Sequence, residues 1–267
     1  MAKQNLRPVL GGVGVALAAT LAIWGCGGGS GQGRPGATGG STGTGGSGSG
    51  TGGSAGATAA ACTANPTTAL LTNFSTAAGD GGISASGTWG TTGQLTGHTF
   101  GYKGAMTNDA GVMSSVTATV QTATMDLELH GTVVAADYAG GGMSFDTCVD
   151  STNWTGIQFT LGGTADGCSI TFQLQTQSQE PPSNKGTCTA SSCYNFPQVP
   201  VTITPGTPIV ITFAELAGTG MPSAPADFEK EMFGLQWQFT SVAPPDGGVQ
   251  VGCSPNMTIS DVMWTSN

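Results

Sequence analysis

Two stretches of the sequence alternate apolar and polar residues with a period of two. In ITFQLQTQ, residues 170–177, Ile, Phe and Leu alternate with Thr and Gln, and FGLQWQF, residues 233–239, shows the same alternation. Because successive side chains of a strand point to opposite faces of a sheet, each stretch predicts a strand with one apolar face and one amide-rich face. The apolar face requires a core, so the chain must fold into a sheet that is covered on one side.

Further segments with strand-like alternation are separated by Gly, Pro, Asn and Asp. They are ALLTNF (69–74), SVTATVQ (115–121), MDLELHGTVV (125–134), GMSFDTC (142–148), GIQFTLG (156–162), QVPVTIT (198–204), PIVITFAEL (208–216) and MTISDVMW (257–264). Helical periodicity is limited to one short segment at 227–232. About ten short strands in some 200 residues predict an all-β fold, an antiparallel β-sandwich or jelly roll.

The first 25 residues have the composition of an export signal. Lys3 and Arg7 precede an apolar run, residues 9–24, which is too short and too rich in glycine for a membrane span. The run ends at Gly25-Cys26 and resembles a bacterial lipoprotein signal, which implies lipidation of Cys26 and a lipid-anchored protein of the cell envelope, at the outer membrane or cell surface. An ordinary secretory signal or an uncleaved anchor are the alternatives.

Residues 26–61 consist almost entirely of Gly, Ser, Thr and Ala. Such a segment cannot bury enough apolar surface to offset its ordering entropy, so we predict a flexible tether. Residues 62–267 are then a single domain with 15 acidic residues and three lysines, a formal charge of 3 − 15 = −12. This charge excludes nucleic acid as a partner, and it leaves the lipid anchor as the only predicted contact with a membrane.

Six cysteines follow Cys26, and an even number in an exported domain predicts three disulfides. They are Cys62, Cys148, Cys168, Cys188, Cys193 and Cys253. Cys188 and Cys193 are close enough to close a small loop. Cys148 and Cys168 lie at the ends of two candidate strands and could join them, which leaves Cys62 for Cys253. A zinc site is the alternative, but the sequence has neither a CxxC pair nor a nearby histidine to support it.

The run LHGTVVAADYAGGGMSFDTCVDSTNWTGIQFTLGG, residues 129–163, resembles part of the galactose-binding-like jelly rolls. These domains occur as carbohydrate-binding modules of bacterial glycanases and in exported lipoproteins. The segments ITFQLQT, VITFAEL, FGLQWQF and MTISDVMW follow in the family's order. The resemblance implies a jelly roll that binds polysaccharide or oligosaccharide without catalysis. It also implies a possible structural Ca²⁺ near the terminal strands, for which Asp261 and Asp80 are the candidate ligands.

The amide-rich face is the candidate sugar site. If both glutamine-bearing strands share a sheet, Gln173, Gln175, Gln236 and Gln238 lie on one side of it, with Asp146 and Gln158 as possible neighbours. Amides offer donors and an acceptor to sugar hydroxyls without the cost of burying a charge. Aromatic rings suit the apolar face of a pyranose, and the candidates are Tyr138, Trp154 and three further loop aromatics, Trp89, Tyr102 and Tyr194. The alternative is a solvent face held together by cross-strand amide pairs.

Two other functions remain open at this stage. One is a structural or adhesive envelope protein that has the fold but does not bind sugar. The other is a glycan-degrading enzyme, because Asp126, Glu128 and His130 share one face of a predicted strand, where two carboxylates could act as an acid/base pair. No second strand with carboxylates pairs with this one by spacing, so the sequence favours binding without catalysis.

Overall fold

A computed structural model describes residues 62–75, 78–79, 87–90, 95–243 and 248–266. The predicted signal (1–25), the tether (26–61), Cys26 and Asp80 lie outside the described residues. The strands are β1 Leu70–Thr72, β2 Ala78–Gly79, β3 Gly87–Trp89, β4 Gly97–Thr107, β5 Met113–Gln121, β6 Asp126–Thr132, β7 Tyr138–Val149, β8 Gly156–Thr164, β9 Cys168–Thr176, β10 Gln198–Val201, β11 Pro208–Thr212, β12 Met232–Ser241 and β13 Asn256–Thr265. The helices are a 3₁₀ turn, Pro182–Asn184, and two short α-helices, α1 Phe213–Leu216 and α2 Pro225–Phe228.

The strands form two antiparallel sheets that share β4. Sheet A has the order β10-β9-β12-β7-β4, and the short strands β3 and β2 continue beyond β4. Sheet B has the order β4-β5-β6-β13-β8-β11, with β1 on β13. The first half of β4 pairs with β7, and Lys103 and Thr107 of its second half pair with β5. This arrangement confirms the predicted all-β, jelly-roll-like sandwich.

The core lies between the two sheets and is made by the apolar positions of the alternating strands. Phe159 of sheet B contacts Phe172 and Trp237 of sheet A, with ring centroids 5.1 Å and 5.2 Å apart. All three side chains are fully buried. Burial of such rings is the main favourable term in folding, so the apolar alternation seen in the sequence fixes which face of each sheet points inward.

The two short α-helices differ from the sequence prediction. The segment predicted as a strand over 208–216 ends at Thr212, where α1 begins. Thr212 and Glu215 form a capping box: the Thr212 side chain accepts from the Glu215 backbone N–H, and the Glu215 carboxylate accepts from the Thr212 N–H. This pair satisfies free N–H groups of a helix start and ends the strand. The helix predicted at 227–232 is α2, Pro225–Phe228, and Met232 belongs to β12.

All six cysteines of the described domain form disulfides, which confirms the predicted number of three. The Cys188–Cys193 pair is as predicted. The pairing of the other four was predicted wrongly, because the disulfides are Cys62–Cys148 and Cys168–Cys253. Cys148 lies at the end of β7 in sheet A, where the segment that begins at Cys62 runs beside it.

Burial of two glutamates predicts a pH dependence of stability. Desolvation raises the pKa of Glu231 and of Glu229, although a hydrogen bond from Ser178 to Glu231 (2.5 Å) and the charge of Lys230 near Glu229 act in the opposite direction. The folded protein then takes up these protons more readily than the unfolded chain. Their unfavourable contribution is complete above the raised pKa and disappears as the pH falls through it.

We therefore expect the free energy of unfolding to gain from these two groups as the pH falls from neutral towards the ordinary glutamate pKa of 4.5. Urea denaturation of wild type and Glu231→Gln at a series of pH values measures this gain. The variant should have a smaller gain, and Asp109→Asn, which removes an exposed carboxylate, controls for the change in net charge. Equal pH dependence in wild type and Glu231→Gln would contradict the assignment.

Candidate functional site

The glutamines lie together on the outer face of sheet A, as the alternation predicts. In the register of β9 and β12, Gln173 is opposite Gln236, and Gln175 is opposite Gly234. Gln198 on the edge strand β10 is opposite Gln173. The two predicted strands are therefore neighbours, and their core-facing partners point to the opposite side of the sheet.

The amide side chains bond to one another across three strands. Gln175 Nε2 donates to Gln236 Oε1 (2.8 Å), and Gln236 Nε2 donates to Gln173 Oε1. Gln173 Nε2 in turn donates to Gln198 Oε1 (2.8 Å) and to Gln238 Oε1 (3.0 Å). We call these five residues the amide ladder. Each bond joins an otherwise costly polar group to a partner, so the ladder is a stable polar layer on the sheet.

Burial divides the ladder into an inner and an outer part. Gln173, Gln175 and Gln236 are 6%, 4% and 7% exposed, whereas Gln198 and Gln238 are more accessible. The two outer residues use their carbonyl oxygens in the ladder, and each has an NH₂ group that the ladder does not use. These outer amides are therefore the ladder's best placed donors for a ligand.

A strip without side chains borders the ladder. On β7, Gly142 is opposite Gln236 and Gly140 is opposite Gln238. The predicted strand begins only at residue 142, whereas β7 begins at Tyr138 and includes all three glycines of residues 140–142. A Cβ atom on Gly142 would lie 2.0 Å from the Leu235 carbonyl oxygen, so the neighbouring backbone leaves no room for a side chain there. The glycines are required by close approach of the two strands.

Aromatic side chains form the far side of the strip. Phe100 and Tyr102 of β4 are opposite Gly142 and Gly140, and both are half-buried. Their ring planes differ by 26°, with centroids 6.4 Å apart. A Cβ built on Gly140 would be 2.5 Å from the Tyr102 hydroxyl, so the tyrosine side chain lies across that glycine. We call Phe100, Tyr102 and Tyr138 the aromatic edge.

Tyr138 extends this edge at the beginning of β7. Its ring centroid is 6.5 Å from that of Tyr102, and the residue is 45% exposed. It lies on the same face of β7 as Gly140 and Gly142, because alternate residues of a strand share a face. The predicted ligand candidate Tyr138 is thus brought together with the glutamines, across the glycine strip.

A histidine and a carboxylate lie together at the other end of the same face. His98 of β4 is opposite Ser144 of β7, and its Nε2 is 3.0 Å from Oδ1 of Asp146. Both side chains are partly accessible. Asp146 therefore lies on the outer face of sheet A, as the sequence analysis suggested. From Tyr138 to Asp146 the face extends along β7 for about 27 Å, at roughly 3.4 Å per residue.

The structure does not bring Trp154 to this face. Its ring stacks on that of Trp264 in sheet B at 6.4 Å, and its indole Nε1 donates to the Pro66 carbonyl oxygen (3.3 Å). Trp154 packs beside the core under the segment that follows Cys62. Gln158 was also a candidate, but it lies on β8 of sheet B, opposite Val210 and Met263.

Phe100, Gln198 and His98 were not predicted as site residues, and Tyr102 was predicted as a ligand candidate but in an irregular part of the chain rather than on a strand. Three of these residues lie on β4, whose sequence GHTFGYKGAMT is interrupted by glycines and was not predicted as a strand. The alternation of Phe100 and Tyr102 is the signal that could have found it, since it places both rings on one face. Neighbouring glycines weaken a strand by propensity alone, and tertiary pairing with β7 overrides this preference.

The predicted enzymatic alternative would need a second carboxylate across from Glu128, and the two described strands beside β6 place none opposite it. Gln121 Nε2 donates to Glu128 Oε2 (2.7 Å), and His130 Nδ1 is 3.8 Å from Glu128 Oε1. The positions opposite Glu128 on both neighbouring strands are threonines, Thr119 and Thr258. Burial raises the pKa of Asp126, and the charge of Glu128 adds to this effect. All of these residues lie on the outer face of sheet B.

The described residues contain no group of three or more His, Cys, Asp and Glu that could hold a metal ion. Of the two predicted Ca²⁺ ligands, Asp80 lies outside them. Asp261 is exposed and has a positive φ of 51° at an irregularity in β13. Its carboxylate accepts from the neighbouring Ser260 hydroxyl (3.4 Å).

Comparison with known proteins finds similar structures but no similar sequences. No family model matches the sequence, and no curated protein matches it. The structure is similar to the family 11 carbohydrate-binding module of the cellulosomal cellulase Lic26A-Cel5E of Clostridium thermocellum, at 9% identity and a TM-score of 0.37, over 76% of this chain and 96% of that one. A family 11 module from the same organism, in complex with a β-1,3-1,4-mixed-linked tetrasaccharide, has 10% identity and a TM-score of 0.35, over 70% and 92%.

The amide ladder makes a stability prediction of its own. Gln236→Ala leaves the buried amide groups of Gln173 and Gln175 without a partner, which should cost about 1–3 kcal/mol of unfolding free energy. Urea denaturation followed by tryptophan fluorescence measures it. Gln158→Ala, on the outer face of sheet B, is the matched control and should change stability by less than about 0.5 kcal/mol. Equal effects of the two substitutions would show that the ladder contributes nothing.

Proposed function

We propose that the domain is a noncatalytic carbohydrate-binding module and that the outer face of sheet A binds the sugar. One observation carries the proposal: the amide ladder, the glycine strip and the aromatic edge lie side by side, in register, on five neighbouring strands. A strip bordered by amides on one side and by rings on the other is chemically matched to a pyranose, which has hydroxyls around its rim and apolar C–H faces.

Each part of the face has a distinct role in this proposal. Tyr102 and Tyr138 offer ring surface to the apolar face of a sugar. Gln238 and Gln198 donate hydrogen bonds to hydroxyls, and Asp146 accepts from them. The buried glutamines Gln173, Gln175 and Gln236 hold the outer amides in position. Preorganised side chains lose less entropy on binding, and this favours affinity.

A second candidate function is a structural or adhesive envelope protein without sugar binding. The observation in its favour is that the amide ladder is satisfied internally, as a plain solvent face with cross-strand pairs would be. The aromatic edge distinguishes the two candidates, because half-exposed rings beside a strip of glycines serve no purpose in a plain solvent face.

The proposal includes export and a lipid anchor at Cys26. Three disulfides in a domain of this size are typical of an oxidising compartment, and the first 26 residues have the features of a lipoprotein signal. The described helices include none long and apolar enough to cross a membrane. We expect a bacterial host fed an alkyne fatty acid to label the wild-type protein and not Cys26→Ser. Equal labelling of both would contradict the anchor.

A binding screen tests the function. The purified chain is passed over a panel of insoluble polysaccharides and run in gels that contain soluble ones. We expect retention by one glycan class, reduced in Tyr138→Ala and unchanged in Tyr194→Ala. Tyr194 is the matched control because it is 48% exposed and contacts Phe196 in the loop between β9 and β10, and it belongs to neither the amide ladder nor the aromatic edge. A folded wild type that no glycan retains would favour the structural candidate.

A further inference from the structure

We propose that the domain holds its ligand under mechanical load, and that the Cys62–Cys148 disulfide carries the force. The inference rests on the proposed function, because the ligand is taken to lie on the outer face of sheet A. The strand that supplies the glycine strip, β7, is the strand to which Cys62 is bonded. Cys62 directly follows the Gly-, Ser- and Thr-rich residues 27–61. Force applied to those residues therefore enters the domain at β7.

The contacts around the disulfide keep this path short. Ala64 pairs in parallel with Val149, and the Asp150 N–H donates to the Ala64 carbonyl oxygen (2.9 Å). The first residues after Cys62 thus lie along the end of β7. From Cys148 back to Gly142 and Gly140 is six to eight residues, about 20–27 Å of extended strand. A ligand on the strip and a tether before Cys62 are joined by this stretch and one disulfide.

The direction of the force also matters. β7 is hydrogen-bonded to β12 along one side, from Tyr138 to Ser144, and to β4 along the other, from Tyr102 to Gly97. A pull along β7 loads these bonds together, since antiparallel ladder bonds are perpendicular to the strand. Without the disulfide, the same pull would load only the single bridge of Ala64 to Val149 and then β1, which has three residues and two register pairs with β13. Its bonds would be loaded one after another.

The second long disulfide provides a matched control. Cys62 and Cys148 are 86 residues apart, and Cys168 and Cys253 are 85 apart. The two loops have almost the same length, so loss of either disulfide is expected to cost similar thermodynamic stability in the chain-entropy view. Cys168–Cys253 joins the start of β9 to the segment before β13 and lies off the path from Cys62 to β7. Loss of either disulfide should therefore lower the thermal stability by a similar amount, whereas only loss of Cys62–Cys148 should lower the resistance to force.

Single-molecule stretching of the full chain with Cys26→Ser tests the force path without any glycan. One handle is fused to the N-terminus, and the other is attached at Tyr138→p-azidophenylalanine on β7. We expect the oxidised chain and Cys168→Ser/Cys253→Ser to bear load without lengthening, because β7 and one disulfide link residue 62 to residue 138. Cys62→Ser/Cys148→Ser should lengthen in steps at low force, by up to roughly 250 Å as residues 63–137 unravel.

A constant-force measurement on the wild type tests the same path in the event that Cys62→Ser/Cys148→Ser does not fold. The oxidised wild type is held under load while a phosphine reductant is added, and a lengthening step should follow cleavage of Cys62–Cys148. If Cys62→Ser/Cys148→Ser bears the same load as wild type without lengthening, or cleavage produces no step in the wild type, the force path is wrong. Forced unfolding follows the unfolding rate rather than the equilibrium, so thermal melting alone does not decide the question.

A flow-cell arm separates this inference from the proposed function. Beads that carry each variant are bound to the polysaccharide identified by the screen and exposed to increasing shear. Cys62→Ser/Cys148→Ser should have the wild-type Kd at rest and detach at a shear at least about twofold lower, whereas Cys168→Ser/Cys253→Ser should detach as wild type does. Equal detachment of all three overturns the inference and leaves sugar binding intact. Absence of binding in every protein overturns the proposed function instead.

Discussion

Tyr102→Ala is expected to weaken polysaccharide binding by roughly ten- to thirtyfold, or about 1.5–2 kcal/mol. The ring lies across Gly140 and neighbours both Phe100 and Tyr138, so it is the central member of the aromatic edge. Its removal takes away ring surface beside the strip and exposes the glycine backbone to water. Isothermal titration of the glycan selected by the screen measures the loss.

Two further variants make the Tyr102 result specific. Tyr102→Phe keeps the ring and should retain most of the affinity, which separates stacking from a hydrogen bond of the hydroxyl. Tyr194→Ala removes an exposed tyrosine elsewhere and should bind as wild type does. Each variant is first compared with wild type by near-UV circular dichroism, since loss of a half-buried ring also affects packing. Unchanged affinity in a folded Tyr102→Ala would contradict the role of the aromatic edge.

Gly142→Val is expected to destabilise the fold by at least about 2–3 kcal/mol. A side chain at this position meets the Leu235 carbonyl oxygen at 2.0 Å and the Gln236 Cα at 2.7 Å, and both atoms belong to the backbone of β12. Since backbone cannot rotate away, β7 and β12 must separate, and the core-facing Trp237 and the amide ladder are disturbed with them. Chemical denaturation measures the change in unfolding free energy.

Ser144→Val is the matched control for the glycine. Ser144 lies two residues further along β7, on the same face, opposite Gly234 and His98, and already has a side chain there. Valine adds a β-branched residue to a strand, which suits the strand conformation, so this change should have a small effect. Similar stability of Gly142→Val and wild type would show that the close approach of β7 and β12 is not needed.

Period-two alternation was the strongest predictor of this fold. Where Phe172 and Trp237 alternate with glutamines, burial of one face leaves a single arrangement, and the sequence predicts both the strand and its orientation. In β4 the alternation is limited to Phe100 and Tyr102, because Gly97, Gly101 and Gly104 interrupt the strand. Its position depends on pairing with β7 in one sheet and β5 in the other, which no local pattern reveals.

The glutamines illustrate what the sequence could and could not predict about the site. Spacing placed the glutamines of each strand on one face, and the two strands share that face because β9 and β12 are neighbours. Their mutual hydrogen bonds did not follow from spacing, because these depend on the order β10-β9-β12, which brings Gln198 beside Gln173. Once bonded in this way, Gln173, Gln175 and Gln236 support the face, and the ligand contacts that we propose are Gln198, Gln238 and the aromatic edge.

The disulfide pairing and the position of Trp154 could not be predicted from the sequence for a related reason. Both depend on the segment that follows Cys62, which runs beside the end of β7 and covers the indole. Such a segment is neither apolar nor periodic, so its position is decided by tertiary contacts with distant strands. Cysteine counting predicts how many bonds form, but it cannot tell which of the 15 possible pairings occurs.

A titration followed by nuclear magnetic resonance tests the central claim most directly. The ¹⁵N-labelled protein is titrated with soluble oligosaccharides from the retained glycan class, and backbone and glutamine side-chain amide shifts are recorded. If the outer face of sheet A binds the sugar, the shifts should saturate at Gly140, Gly142, Tyr102 and the Gln238 side chain. Thr258 of sheet B should be unchanged. Saturating shifts confined to the outer face of sheet B, around Glu128 and Thr258, would contradict it.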